Sequence, residues 1–400
     1  ALAMGFVLWF YHWVVTHNNG FEDWGDLDYY RLLVRGWTKG QLNLDKDPSP
    51  ALLALKDPYD PEQNQPHKLG DITLYRGKYY IYFGPAPALT LMLPYTLLTG
   101  REMTTGGATF VFCSVAFLAA SGVWLAIRRR FFPESQVIMA PLGVLAIGFG
   151  TQLLSLAQRP MMWELPIAAG SAFTMLGVAA CYWAIFGRQP RWAMALAGLS
   201  LGLAVGSRPT CLFPTGLLAV PWWLAWRERG ARPGWGWMGL AALGPLAGCG
   251  LAIMAHNYAR FDNPLEWGQN YQLSGAYESK LVHFSPRFFW HNFSVYFFQP
   301  LEWSSEFPFV LARGIEISHI PDYFGTEEVA GLAVTFPYVA FVMALPLVWW
   351  RRELREARRL ALAAGVVAAY ALPVGGLVLC YFSTTMRYQT YYAVSLAILA

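Results

Sequence analysis

Two carboxylates sit close together in the triplet Asp26-Leu27-Asp28, which runs directly into Tyr29, Tyr30 and Arg31. A carboxylate can take the proton of an attacking hydroxyl, and a pair can hold a divalent cation such as Mg2+ or Mn2+. On a regular helix residues i and i+2 point about 200° apart. The two acids therefore share a site only if Asp26 still lies in the turn before the helix. The plainer reading is that acids at a helix start offset its macrodipole. A second acid, Glu164, follows QRPMMW at the head of an apolar run, and an ionisable group at such a boundary points to function. Three arginines stand alone in short polar connections: Arg159 in QRPMMW, Arg208 in SRP and Arg387 in STTMRYQT. A guanidinium can grip a phosphate through two N–H groups, so each is a candidate for an anionic lipid headgroup. The alternatives are snorkelling to the membrane surface, or for Arg159 a pair with Glu164. Tyr29 and Tyr388 stand beside these groups as further substrate contacts. Lys78, with Tyr79, Tyr80 and Tyr82, forms either a sugar-binding wall or an amphipathic strand. His256 either joins a site or caps a helix end with Asn257.

The elements that must position these residues are membrane spans. Of 400 residues 56% are hydrophobic and 14% charged, more apolar surface than a soluble domain of this size can bury. The 18 Trp, 21 Tyr and 26 Phe gather near the ends of the apolar runs, as rings do at a lipid–water interface. The runs place spans at 1–16, 104–127, 136–156, 164–186, 192–206, 210–226, 236–256, 330–350, 360–382 and from 391 onward. The connections RRRFFPES, GRQPR, RERGARPG and RRELREARR carry 13 Lys/Arg against four acids, which assigns them to the cytoplasm. Two large loops, 17–103 and 257–329, then lie outside, within a single membrane domain over 1–400. FGPAPALTLMLPYTLLTG (83–100) is short and holds Pro85, Pro87 and Pro94. Treating it as a span would reverse every later helix, so 85–100 is read as a juxtamembrane or re-entrant helix.

Within the first loop the spacing of Leu27, Tyr30, Leu33 and Val34 predicts an amphipathic helix beginning near Asp26 or Asp28. LGDITLYRGKYYIYFGP predicts two short strands around a turn at Arg76–Gly77. The second loop is aromatic and polar without clear period. The five cysteines lie in apolar segments and read as buried thiols. No nucleotide cradle, nucleophile elbow, zinc spacing or basic tract for nucleic acid is present. The first residue is not Met and the last apolar run is cut short, which reads as a piece of a longer chain.

The first span followed by GDLDYYR, then GKYYIYFGPAPALTLMLPY, then QRPMMWELPIAAG at the mouth of the fourth span, resembles the GT-C superfamily of integral membrane glycosyltransferases. The likeness is to bacterial enzymes of the protein mannosyltransferase and aminoarabinose transferase type, although the Asp-Glu pair of the former is absent. It extends over most of the chain in topology but only short motifs in sequence. The resemblance implies an all-α polytopic fold and an active site on the outer face of a bacterial inner membrane. It also implies a sugar donor carried on a polyprenyl phosphate, an acceptor glycan, lipid or protein arriving from outside, and an inverting transfer. Asp26 or Asp28, with Asp28 preferred, would be the general base. Arg208 and Arg387 would stabilise the departing phosphate, with Lys78 and Arg159 as second choices, and Glu164 would orient the acceptor or an arginine. Branches of the superfamily differ in metal use, which leaves a divalent metal at Asp26 and Asp28 open. The rival readings are a transporter or lipid flippase, and a non-catalytic envelope-assembly protein.

Overall fold

The computed structural model describes residues 1–18, 20–22, 25–227, 234–307, 309–312, 314 and 320–400, the side chains of Asp26, Thr326 and Arg355 excepted. The chain is mostly helical. Four helices are long and apolar enough to cross a bilayer: Thr105–Phe131, Glu164–Phe186, Trp235–Phe261 and Glu356–Leu379. They coincide with four of the ten expected spans. The other six take other forms. Leu2–His17 and Pro190–Ser207 are helices of 16 and 18 residues. The 136–156 run is split into Met139–Phe149 and Leu153–Gln158. The 210–226 run begins as a 3-10 segment, Pro209–Leu218, with Pro214 inside it, and becomes α-helical at Ala219–Arg227. The 330–350 run is Leu332–Thr335 followed by Pro337–Trp350. The last run is Thr390–Leu399. Proline accounts for the break before 337 and the tightened turns at 209–218, since it lacks the N–H that continues an α-helix.

The 164–186 helix is the axis of the bundle. Its span window is 94% buried, and the consecutive small residues Ala168, Ala169, Gly170, Ser171 and Ala172 are buried all round the helix. Small residues let backbones approach closely. At Gly198 on the 190–207 helix, a Cβ would stand 2.0 Å from the Ala242 carbonyl oxygen of the 235–261 helix. The 235–261 helix is the opposite case, only 11% buried over its apolar window. Leu240, Leu243, Leu251 and Met254 face outward there, as on a surface meant for hydrocarbon.

The connections collect at two ends. At one end Arg130, Glu134, Arg352, Glu356 and Arg359 line a common hollow, and Arg352 Nη2 donates to the Phe131 carbonyl at 2.6 Å. At the other end the two large loops fold together. Strands Ile72–Tyr75 and Lys78–Tyr80 form the expected hairpin, and Gln272–Leu273 of the second loop pairs antiparallel with the free edge of the first strand. Arg76 and Gly77 at the turn both have positive φ, 49° and 72°. Tyr277 Oη donates to Asp57 at 3.1 Å, and Thr73 Oγ1 to the Gly268 carbonyl at 3.1 Å. Farther along, Gly325–Thr326 pairs in parallel with Ser383–Thr384, and Asn292 Nδ2 donates to the Leu379 and Tyr381 carbonyls. The second loop thereby clamps the 380–388 segment in place.

The 83–100 stretch contains the helix Ala88–Thr99, which opens with a π-helical turn over Ala88–Met92 and ends at Gly100 in the left-handed conformation. Twelve residues rise about 18 Å, too short to cross. The 235–261 helix continues past the boundary expected at 257 and stops at Asp262, φ 56°. His256 is therefore inside that helix and does not cap its end.

Candidate functional site

Arg208 is placed by the sequence Ser-Arg-Pro. A residue before proline is pushed out of the α region, and Arg208 is extended at φ −147°, ψ 133°, ending the 190–207 helix. Its guanidinium stands over three rings, 5.4 Å from the centroids of Phe83 and Tyr388 and 5.9 Å from that of Tyr391. Among the described residues no carboxylate lies within ion-pair distance of it. Aromatic faces offset part of the cost of sheltering a cation, but a recessed guanidinium without a counter-ion is suited to an incoming anion. Arg208 lines a cavity of 360 Å³ together with Tyr82, Phe83, Trp267, Gln269, His283, Tyr381, Tyr388 and Tyr391, and Phe284, Leu377 and Val378 form an apolar flank. The volume is that of a small-ligand pocket.

Phe83 is held against Arg208 by a close backbone approach. Gly84 N donates to the Ser207 carbonyl at 3.2 Å, and a Cβ at position 84 would stand 1.8 Å from the Gly206 carbonyl oxygen. Tyr388 and Tyr391 are fixed by Gln389 between them. Its amide donates to the Tyr296 and Ala330 carbonyls at 3.0 and 2.8 Å and accepts from Gln152 at 2.7 Å.

Arg387, the other favoured arginine, is not free in the same way. It contacts Glu164 at 3.5 Å and Glu327 at 2.8 Å, and lies 5.6 Å from the centroids of Trp163 and Tyr388. Burial would lower its pKa, but Tyr388 and the two carboxylates hold it well above the ordinary arginine range. Glu164 is 3% exposed and heads its helix, and its second oxygen is buried without a partner among the described residues. Its ion pair is with Arg387; Arg159 is exposed and makes no ion pair among the described residues.

Asp28 caps one helix and bonds to the start of another. Oδ1 accepts from Arg31 N at 3.1 Å and from Thr105 Oγ1 at 2.5 Å, and Oδ2 accepts from Thr105 N at 3.0 Å. It thereby joins the start of Tyr29–Thr38 to the start of Thr105–Phe131. Burial raises its carboxyl above the ordinary range, and the Thr105 and Arg31 donors partly oppose this. Such a carboxylate does not suit a metal ion, because N–H and O–H donors already point at both oxygens. Among the described residues no group of three or more His, Cys, Asp or Glu could hold a metal. Asp26 is in the 3-10 turn Gly25–Leu27; its side chain lies outside the described residues.

The candidates are strung along a path and do not share one chamber. Asp28 borders a narrow cleft with Leu27, Met161 and Met162. The same three neighbours line an adjoining 310 Å³ cleft with Tyr29, Lys68, Asp71 and Trp163, and Trp163 stacks toward Arg387. Tyr29 is buried, its hydroxyl donating to the Gly70 carbonyl at 2.9 Å. Lys78 is exposed beside the hairpin turn and reaches none of these cavities. His256 packs against Trp37, ring centroids 6.2 Å apart, and lines a separate apolar pocket.

Sequence reasoning missed four polar side chains here. Asp71, at φ 54°, has its carboxyl raised by burial and accepts from Gln272 at 3.3 Å. Glu278, His283 and Gln269 form a hydrogen-bonded group at the wall of the Arg208 cavity. All four lie in irregular loop segments, where no periodicity marks which side chains turn inward. Comparison with protein-family models, curated proteins and solved structures gives no match.

Proposed function

We propose that this protein is a membrane-embedded glycosyltransferase of the GT-C type that moves a sugar from a polyprenyl-phosphate donor to an acceptor hydroxyl. The observation that carries the proposal is the Arg208 cavity: a sheltered guanidinium with no carboxylate partner among the described residues, ringed by phenols and flanked by apolar side chains. A lipid phosphate has the matching two-part chemistry, an anionic head and a hydrocarbon tail. In the reaction the acceptor oxygen attacks the sugar C1 and the C1–O bond to phosphate breaks with inversion. The acceptor proton passes to an aspartate, and polyprenyl phosphate leaves with its charge balanced by Arg208. The capping bonds of Asp28 move the base assignment to Asp26. Arg387, already paired, positions Glu164 and Tyr388. The proposal completes the topology to about ten passes in a bacterial inner membrane, with the loop end on the outer face.

The test is binding and transfer by the purified protein in lipid nanodiscs. Arg208→Gln is expected to weaken binding of farnesyl monophosphate at least about tenfold and to abolish transfer from a polyprenyl-phosphate sugar. Wild-type binding in that variant sinks the proposal. A lipid flippase would share such a cavity, and is distinguished by translocating the lipid phosphate without any sugar transfer. The placing of the candidate charged groups near helix ends, away from the middle of the helices, favours the enzyme.

A further inference from the structure

Glu278 and His283 belong to the second loop and stand apart from the residues so far given a role. Glu278 begins a 3-10 turn, Glu278–Lys280, and is 8% exposed. Its Oε2 meets His283 Nε2 at 2.8 Å and accepts from Gln269 Nε2 at 2.9 Å. Burial alone would raise its carboxyl, but the His283, Ser274 and Gln269 donors prevail and hold it below the ordinary glutamate range. An ionised carboxylate can only accept, so Nε2 carries a proton and the ring is fixed as to which nitrogen remains. That nitrogen is Nδ1. The His283 side chain keeps 23% exposure, and its ring lines the cavity that holds Arg208. The ring is braced from behind by Phe382, ring centroids 5.1 Å apart, and by the Phe382 N–H to the His283 carbonyl at 3.0 Å. An imidazole anchored on one nitrogen by a buried carboxylate, with the other directed at a ligand, is a positioned hydrogen-bonding group.

We infer that the Glu278–His283 pair completes the anion site begun by Arg208: Glu278 anchors the ring through Nε2, and Nδ1 is the position that hydrogen-bonds the phosphate. The two groups enter from opposite parts of the chain, one from the end of the 190–207 helix and one from the second loop. A phosphate between them is gripped from two directions, which a single arginine cannot do. The inference rests on the reading of the cavity as a lipid-phosphate site.

The test measures binding of radiolabelled farnesyl monophosphate and farnesol to the full protein in nanodiscs. His283→Gln keeps a donor toward Glu278 but offers nothing at the Nδ1 position. It is expected to weaken farnesyl phosphate about ten- to a hundredfold, as for loss of a charge-assisted hydrogen bond, and to leave farnesol unchanged. Glu278→Gln should act in the same direction. His283→Asn, whose amide sits near the Nδ1 position, should recover part of the loss. If His283→Gln and Glu278→Gln bind farnesyl phosphate like wild type while Arg208→Gln does not, the pair has no such role and the lipid-phosphate reading stands. Equal losses for phosphate and alcohol would mean the pair only supports the cavity wall, which also overturns the inference. Wild-type phosphate binding in Arg208→Gln overturns both.

Discussion

Asp28 shows how one side chain can serve two helices. Replacing an N-cap acceptor costs about 0.5–2 kcal/mol, and here the carboxylate that fills that role at Tyr29–Thr38 also accepts the first N–H of Thr105–Phe131, a helix capped by Thr104. Asp28→Ala is expected to lower the melting temperature in detergent clearly, and Asp28→Asn to do so as well, because its amide turns a donor toward a Thr105 donor. Asp26→Asn should instead leave the melting temperature unchanged and abolish sugar transfer. An unshifted melting temperature in Asp28→Ala would remove the capping account, and full transfer by Asp26→Asn would remove the base. At this scale the sequence was legible where chemistry is local. The start of the helix at Asp28 could be read from the spacing of Tyr30, Leu33 and Val34. Which acid of the pair does the capping could not, because the deciding partner, Thr105, is 77 residues away. Glu278 and His283 escaped for a related reason. Five residues apart in an irregular segment, they meet only because the 3-10 turn folds one back toward the other.

Among the elements, the hairpin around Arg76–Gly77 was legible because β-branched and aromatic residues flank a turn that needs positive φ. The third strand was not, since two residues, Gln272 and Leu273, leave no pattern until the second loop is brought to the first. The broken helices were also missed. Apolar runs of adequate length read as continuous spans, and only the position of a proline or glycine against its packing decides where an α-helix tightens or stops. Gly84 is the element contact on which the site leans most. A methyl there cannot coexist with the Gly206 carbonyl, so Gly84→Ala must push residues 82–84 off the end of the 190–207 helix and carry Phe83 away from Arg208. Binding of farnesyl phosphate should fall at least about tenfold, in keeping with core overpacking penalties of about 1–3 kcal/mol. Wild-type affinity in Gly84→Ala would show that Phe83 does not shape the cavity.

For the molecule as a whole, charge separates the two ends. Alternating connections, read only for their Lys and Arg content, were sorted into two groups, and residues 130–134 and 352–359 do meet at one end while the two large loops meet at the other. The meeting of these two basic connections was readable because summed Lys and Arg content needs no knowledge of contacts. Membrane orientation makes a direct prediction. In a cysteine-free background on intact cells, a membrane-impermeant maleimide should label Lys78→Cys and spare Glu134→Cys until the membrane is opened. Labelling in the reverse order would invert the assigned orientation, and labelling of both would show that the bundle does not separate the two ends.

The walls of the Arg208 cavity come from residues 82–83, 208–210, 267–284 and 377–391. A ribosome delivers these in that order, and the last wall emerges roughly three hundred residues after the first. Until then the protein is therefore a set of helices with a bare guanidinium and no closed cavity beside it. The site comes into being late and all at once, when Gln389 locks the closing segment. An unfinished chain, however well inserted, has no partial pocket with which to hold a ligand.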